Sequence, residues 1–262
     1  MIKPEYEIQR DNINNLYINQ GINLCYPHFH EHVELLCVIE GEKYVTINNK
    51  SFNLKSGMVA IADSFDIHSY PIHSEIKTCT VIIPYKYLVE YRLAKKGLYL
   101  SDYFVTNTTQ GNEIIAGIEN LAQNQFQNEL ILKGYINIVL GKILEAIPLT
   151  KRQAYQDTEF IRKLFIYIDN NLTEDLSLNT LSEHFGYSKY HFSRLFNSFF
   201  KLSLTDYINS RRIKMFIKLM MENTKMKLSD AIFSAGFSSI QTFYRVFKDS
   251  YGVTPKEYLK NF

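Results

Sequence analysis

The sequence predicts two domains: an N-terminal all-β barrel followed by helices, and a C-terminal all-α domain that contains two helix-turn-helix units. Three observations lead to this prediction. Short β-rich runs fill residues 26–83, apolar residues recur at helical spacing over residues 112–147, and one passage occurs twice, at residues 186–208 and 236–259. The chain has 262 residues, which is enough for two separate hydrophobic cores.

The N-terminal runs are predicted to be strands because β-branched and aromatic residues dominate them and turn residues bound them. An initial strand is also expected within residues 16–24, where apolar positions alternate in part. Asn48-Asn49 predicts a two-residue hairpin turn, since asparagine tolerates positive φ. Strands this short and closely spaced favour a barrel or a sandwich. The predicted strands are His32–Ile39, Lys43–Ile47, Ser51–Leu54, Met58–Ala62 and Thr78–Ile83.

Histidine and glutamate residues concentrate at the start of this β region. Residues 28–34 read HFHEHVE, and an extended backbone points the side chains at even positions to one face. We therefore expect a cluster of polar side chains inside the barrel, joined by a histidine from a later strand. The candidate ligand-binding residues are His28, His30, His32, Glu34 and His68.

The same stretch resembles the two sequence motifs of the cupin barrels. The second motif is approximated by residues 57–61 leading to His68, although Asp63 stands where a proline is common. The resemblance implies a small barrel, so the N-terminal domain is expected to be cupin-like. The first motif is matched by His28, His30, Glu34 and Gly41.

Three interpretations of this cluster stay open at the level of sequence. Imidazole and carboxylate groups that converge in a barrel are ligands for a divalent metal, which would indicate a metal-dependent cupin enzyme with an appended helical domain. The same groups can hydrogen-bond a polar small molecule, which would indicate a sensor. They can also hydrogen-bond among themselves at the barrel mouth. We expect the sensor, with no metal and no cofactor.

Two amphipathic helices are predicted between the barrel and the C-terminal domain. The first has an apolar stripe from Ile114 to Leu121, and the second has a broader one from Leu130 to Ile147, with Pro148 ending it. Part of the broader stripe is expected to pack on the barrel. Residues 149–156 are polar and predict a linker, after which Asp157 is expected to cap a helix.

Each copy of the repeated passage has the parts of a helix-turn-helix. Gly186 and Gly236 can each close one helix, and a following serine can cap the next. Aromatic residues then form a buried stripe, with Phe192 in the first copy and Phe243, 51 positions later, in the second. Polar side chains remain on the opposite faces, and such side chains hydrogen-bond base edges and phosphates of double-stranded DNA. They are Tyr190, Ser193, Arg194 and Asn197 in the first copy, and Gln241, Tyr244, Arg245 and Lys248 in the second.

Residues 157–262 resemble the DNA-binding domain of the AraC/XylS family of bacterial transcription regulators. The resemblance rests on Gly186-Tyr187-Ser188 and residues 191–196 in the first copy, and on the family signature in the second. One departure is Ile232, where the family usually has alanine, so the packing there is expected to differ. The signature residues in the second copy are Ala235-Gly236-Phe237, Phe243, Arg245, Phe247-Lys248, Gly252, Thr254-Pro255 and Tyr258.

The resemblance implies a function and a division of the chain. Residues 1–110 would form a cupin-like domain that senses a sugar or another small metabolite, and residues 111–148 a helical segment that dimerises. A linker at 149–156 would precede the DNA-binding domain at 157–262. Base contacts would come from the outward face of the second helix in each helix-turn-helix unit; these two helices are called the reading helices. We therefore expect a ligand-responsive, sequence-specific DNA-binding regulator that acts as a homodimer and is not an enzyme. The residues to which base contacts carry over are Tyr190, Ser193, Arg194, Gln241, Tyr244 and Arg245.

Charge and composition are compatible with this interpretation. The net charge is +2, but residues 157–262 hold 15 Lys+Arg against 11 Asp+Glu, while residues 1–156 hold 14 against 16. The excess of positive charge thus lies in the half with the paired helices. The N-terminus lacks the apolar run of a signal peptide and no stretch has 18 consecutive apolar residues, so we expect a cytoplasmic location without a membrane span. The three cysteines are expected to be free thiols.

Overall fold

The computed structural model divides the chain into two compact units, Met1–Glu159 and Phe160–Phe262. Of Glu5 and of residues 156–159 it describes the backbone alone. None of the helices in the described part of the chain combines the length and the apolar composition that crossing a bilayer requires. The residues described are 5–7, 10, 13, 15–21, 25–70, 76–123, 128–151, 156–199, 203–223 and 225–260.

The first unit is built mainly from antiparallel strands. All five strands predicted from the central β region are confirmed, with ends that differ by one residue at most. The initial strand is confirmed over Tyr17–Gly21, while residues 22–24 of that prediction lie outside the described residues. The strands are β1 (Glu5–Tyr6), β2 (Tyr17–Gly21), β3 (Cys25–Phe29), β4 (Val33–Glu40), β5 (Glu42–Ile47), β6 (Lys50–Lys55), β7 (Val59–Ala62), β8 (His68–Tyr70), β9 (Lys77–Ile83), β10 (Tyr99–Leu100), β11 (Phe104–Val105) and β12 (Leu149–Thr150).

Two five-stranded sheets enclose the core of this unit, in the orders β1-β3-β8-β5-β6 and β11-β7-β4-β9-β2. Side chains from both sheets meet between them, including Leu36 of β4, Ile47 of β5 and Tyr70 of β8. The opposite face of β4, with Leu35 and Cys37, packs against helices. This alternation follows from the period of two along a strand, and it directs the even positions of β4 into the space between the sheets. The fold class predicted for this half is thus confirmed.

The hairpin turn predicted at Asn48-Asn49 is confirmed. Both residues have positive φ, 45° and 67°, between β5 and β6. The Asn48 side chain also accepts a hydrogen bond from the Ile67 backbone N–H at 3.0 Å, so it ties the turn to the residues that precede β8. The turn therefore helps to place His68.

The described residues of the first unit also form the α-helices α1 (Val89–Lys95), α2 (Thr108–Gln123) and α3 (Glu129–Ala146). The broad apolar stripe of α3 is only partly buried. Val139 and Ile143 are buried against the sheet and α2, while other apolar side chains of this helix remain exposed. One expectation is wrong in part, because Leu149 and Thr150 of the predicted linker form β12 and pair with β10.

Every regular element among the described residues of the second unit is a helix, as predicted. Its first helix begins at Gln156, one residue before Asp157, so Asp157 lies inside the first turn and is not the cap. Ile232 is buried within the core around Phe243 and Phe247. The helices are α4 (Gln156–Asn170), α5 (Leu178–His184), α6 (Lys189–Phe199), α7 (Leu204–Glu222), α8 (Leu228–Ser234), α9 (Ile240–Tyr251) and α10 (Pro255–Leu259).

Two arginines of the long helix α7 hold the second unit together. The Arg211 guanidinium donates to both carboxylate oxygens of Asp169, at 2.8 and 2.7 Å. Arg212 donates to the backbone carbonyls of Leu172 at 2.9 Å and Glu174 at 3.1 Å. These contacts fasten α7 to the end of α4 and to the residues that follow it.

Candidate functional site

The two predicted reading helices are α6 and α9, and each is oriented by its aromatic stripe. Phe192 and Phe196 of α6 are buried, as are Phe243 and Phe247 of α9. Serine caps begin both helices: Ser188 Oγ accepts from the His191 N–H at 3.2 Å and Ser239 Oγ from the Thr242 N–H at 3.4 Å. The opposite faces must therefore point to solvent.

The predicted DNA-contacting residues lie on those outward faces. Tyr190 is 77% exposed and Tyr244 is 38% exposed, while Ser193 is half-buried and the other five are exposed. Arg245 approaches Asp249 at 3.6 Å, but both side chains are about two-thirds exposed, so this pair costs little to open. Asn197 donates to Ser193 Oγ at 3.4 Å. The two faces thus offer donors and acceptors to an incoming partner.

A second candidate site lies in the first unit, where four side chains converge. His28 of β3 pairs with His68 of β8 across the sheet, and the side chain of Glu34 on β4 reaches them from the facing sheet. His30 follows the end of β3. One ligand atom from each of these four residues lies within 4.8 Å of the others, and all four residues are buried.

Two histidine rings of this cluster approach one carboxylate oxygen of Glu34. Glu34 Oε2 lies 3.1 Å from His30 Nε2 and 3.6 Å from His68 Nε2. Its other oxygen, Oε1, accepts a hydrogen bond from the Tyr70 hydroxyl at 3.0 Å. At the edge of the cluster, Glu7 Oε2 lies 3.1 Å from His28 Nε2.

The cluster contains four of the five predicted ligand-binding residues. His32 is buried but is turned toward the helical side, where its Nδ1 accepts a hydrogen bond from the Tyr85 backbone N–H at 3.0 Å. Tyr70 and Glu7 were missed by the sequence prediction. Tyr70 lies two positions after His68 on the same short strand, and this spacing could have identified it. For Glu7 the sequence offers no signal.

Burial and mutual contact shift the pKa values of these groups. Burial, followed by the neighbouring histidines, lowers the pKa of His28 to about 3. Burial also lowers the pKa of His30. For Glu34 burial acts upward, but the hydrogen bond with His30 and the nearby His68 ring outweigh it and bring the pKa well below the ordinary value. For His68 burial acts downward, but the Glu34 carboxylate outweighs it and raises the pKa. The cluster therefore holds an ionised carboxylate against mostly neutral imidazoles.

Comparison with protein families gives one match for each unit. The AraC-like ligand-binding domain matches residues 22–136, and a helix-turn-helix domain matches residues 181–261. The first match contains the histidine and glutamate cluster, and the second contains both reading helices.

Individual relatives agree with these matches. An HTH-type transcriptional regulator of Staphylococcus aureus strain MSSA476, itself uncharacterised, is 27% identical over 228 residues, which cover 84% of this chain. This chain spans only about 30% of the length of that relative. The transcriptional activator AarP of Providencia stuartii is 30% identical over 112 residues, which cover 43% of this chain and 82% of AarP.

Among solved structures, ToxT from Vibrio cholerae matches 94% of this chain and 97% of its own, with 16% identity and a TM-score of 0.41. The matched families and relatives are those of regulators, so they disfavour the metal-dependent enzyme. The chain therefore belongs to the AraC family of transcription regulators, with an AraC-like ligand-binding domain followed by a DNA-binding helix-turn-helix domain.

Proposed function

We propose that this protein is an effector-responsive transcription regulator that recognises a specific double-stranded DNA sequence through α6 and α9 together. The observation that supports it most directly is the pair of outward polar faces, each set on a helix whose opposite face is buried aromatic core. The helix that connects the two helix-turn-helix units, α7, has 19 residues and spans about 28 Å. Successive major-groove faces lie roughly 34 Å apart, so this separation suits two reading helices on one side of a duplex.

Replacing either Arg194 or Arg245 with alanine is expected to cost about 1–3 kcal/mol of specific DNA binding. Both guanidinium groups lie on the outward faces, where they can hydrogen-bond guanine edges in the major groove. The measurement is fluorescence anisotropy of the full chain on a sequence selected from a random pool, compared with unselected DNA. Lys218→Ala is a suitable control, since Lys218 is an exposed cation of α7 outside both faces. Equal losses on selected and random DNA would show that the arginines bind phosphates and do not read bases.

The effector role is proposed for the first unit, on the support of the AraC-like ligand-binding match. Imidazole, carboxylate and hydroxyl groups at the cluster can hydrogen-bond the hydroxyls of a sugar or another small metabolite. Since His28, His30, Glu34 and His68 are at most 6% exposed, an effector of that size must move the residues that cover them. Its binding would then change how the reader domains of a dimer are held. A thermal-shift screen of the full chain against sugars and related metabolites tests this class, and the absence of any shift would count against it.

The homodimer is proposed to form through α3. Leu130 is 78% exposed, Ile131 49% and Ile138 54%, and their spacing places them on one side of the helix. Exposed apolar residues at such positions are typical of a face covered by a second chain.

The double substitution Ile131→Glu with Ile138→Glu is expected to yield monomers, because two carboxylates from each chain would have to lose their hydration at the dimer interface. The mass of the full chain measured by light scattering after size exclusion reports this change. Leu93→Glu is the matched control, since Leu93 on α1 is 71% exposed and lies outside that face. If the double variant and the wild type have the same mass, α3 is not the interface.

A further inference from the structure

We infer that Cys37 and Cys79 form a site of reversible covalent modification, in which oxidation by a peroxide joins the two thiols in a disulfide between β4 and β9. This inference goes beyond the regulator proposed above and does not depend on it. It rests on the register of the two strands, on the face that the two side chains share and on the core in which both thiols lie.

The strand register places the two cysteines directly opposite each other. Cys37 of β4 pairs with Cys79 of β9 in the antiparallel ladder, and both are free thiols. Residues that lie opposite each other in such a ladder direct their side chains to the same face of the sheet. Both cysteines accordingly belong to the core cluster on the helical side of this sheet. The two thiols are therefore neighbours in one buried layer.

The backbone contacts of β4 show which kind of pair the cysteines form. Val38 directs its N–H and its carbonyl away from β9, to the Met58 carbonyl at 3.2 Å and the Gly57 N–H at 3.0 Å. This direction alternates along a strand, so Cys37 directs its own backbone groups toward β9 and forms a hydrogen-bonded pair with Cys79. The Cα atoms of such a pair are about 5.5 Å apart, which is a usual separation for a disulfide. The bond can therefore form without separating the strands.

The spacing of the side chains indicates that this disulfide is easily reduced. The Cβ atoms of a hydrogen-bonded pair are about 5.5 Å apart, whereas a disulfide holds them at about 3.5–4.5 Å. Forming the bond must therefore draw the two Cβ atoms together and strain the strands around them. Strained disulfides are the labile ones, and relaxed disulfides are the structural ones. The pair is thus suited to a reversible modification.

Cys79 is expected to react first, because it is the less deeply buried thiol. Burial raises the pKa of Cys79 to about 11, and it raises the pKa of Cys37 well above its ordinary value. Cys79 also lies on the strand next to β2, which is the edge strand of this sheet. Only the thiolate is nucleophilic, so oxidation is slow at neutral pH and requires a small oxidant that can enter the core.

Hydrogen peroxide meets this requirement, and the reaction has two steps. The Cys79 thiolate attacks the O–O bond, which breaks to give the sulfenic acid of Cys79 and hydroxide. The Cys37 sulfur then attacks the sulfenic sulfur, so that the S–S bond forms, the S–O bond breaks and water leaves. Each thiol loses one electron and one proton in total, and one peroxide molecule is reduced to two molecules of water.

The position of the pair connects it to other parts of the first unit. The core cluster that contains both thiols also contains Ile118 of α2 and Val139 of α3. Glu34 of the effector cluster lies on β4, three residues before Cys37. A bond between β4 and β9 therefore constrains the strand that carries part of the effector cluster.

The test treats the full chain, reduced and then freed of reductant, with hydrogen peroxide at pH 9, where more of Cys79 is thiolate than at pH 7. The remaining thiols are alkylated in urea, and a non-reduced proteolytic digest is analysed by mass spectrometry. We expect a cross-linked peptide that joins Cys37 to Cys79 within one chain, and we expect dithiothreitol to separate it.

Cys25 is the matched control within the same chain. It is more exposed than the other two cysteines, but it lies on β3 in the other sheet, opposite Tyr70. It should therefore be recovered alkylated or singly oxidised, and never in the cross-link. Cys25→Ser should leave the yield of the cross-link unchanged, whereas Cys37→Ser should abolish it.

The wild-type chain alone can overturn the inference, so the test does not depend on how well a variant folds. The inference is wrong if Cys37 and Cys79 are recovered alkylated after the treatment, or as separate sulfinic or sulfonic acids. It is also wrong if the cross-link contains Cys25, joins two chains on a non-reducing gel or resists dithiothreitol. DNA binding is measured separately by anisotropy, so failure of this site and failure of the proposed regulator are distinguishable.

Discussion

Replacing Gly236 with alanine is expected to destabilise the second unit by about 3 kcal/mol or more. Gly236 has a φ of +92°, where L-residues are strained. A Cβ at this position would lie 1.9 Å from the Leu172 carbonyl oxygen and 2.9 Å from Arg212 Nε. Arg212 donates to this same carbonyl, so alanine would separate the turn of the second helix-turn-helix from the end of α4 and break that hydrogen bond.

Gly186 is the matched control, because it occupies the equivalent turn of the first helix-turn-helix. Its φ is +72°, but a Cβ there would have no heavy atom within 4 Å. Gly186→Ala should therefore cost only the strain of the backbone, about 1–2 kcal/mol. Urea unfolding of both variants, followed by circular dichroism at a helical wavelength, gives the two values. Equal losses for the two glycines would contradict the close approach seen at Leu172.

Lys95→Met is expected to destabilise the first unit by about 3–5 kcal/mol. The Lys95 ammonium donates to the Asp63 carboxylate, and both side chains are less than 10% exposed. Methionine preserves most of the volume of the lysine stem but leaves the carboxylate buried without that cation. Removing the cation from a buried carboxylate costs more than the retained packing contributes.

The double variant Lys95→Met with Asp63→Asn should recover most of this loss, because it removes both charges. Asparagine still offers Oδ1 to the Ser64 backbone N–H, which is bonded to Asp63 Oδ1 at 2.9 Å. Thermal unfolding of the two single variants and the double variant closes the cycle. If the double variant is as unstable as the two single losses added together, the two side chains do not act as a pair.

Asp63 also marks a departure from the cupin sequence pattern. Asp63 stands where a proline is common, and its backbone N–H donates to Asp66 Oδ2 at 3.1 Å. Proline has no N–H to donate, so this turn uses a hydrogen bond where the common pattern uses a restrained ring. The sequence showed the departure, but the partners Lys95 and Asp66 came only from the structure.

The candidate ligand-binding residues were predicted from the alternation of side chains along one extended strand, and this alternation is interrupted. The prediction assumed one extended run from His28 to Glu34, but β3 ends at Phe29 and β4 begins at Val33. The backbone turns at residues 31 and 32, so the alternation does not continue across them. His30 and Glu34 still meet, while His32 is turned toward Tyr85.

Local patterns alone identified the paired helix-turn-helix units, their turn glycines and the outward polar faces, since helical periodicity depends only on residues within a few positions of one another. Other features depend on residues far apart in the chain. They are the approach of His68 and Tyr70 to Glu34, the ion pair of Lys95 with Asp63, and the hydrogen bonds that Arg211 donates to Asp169. Burial makes such contacts energetically important, and which segments are buried together is set by how the elements pack. No spacing along the sequence encodes that packing directly.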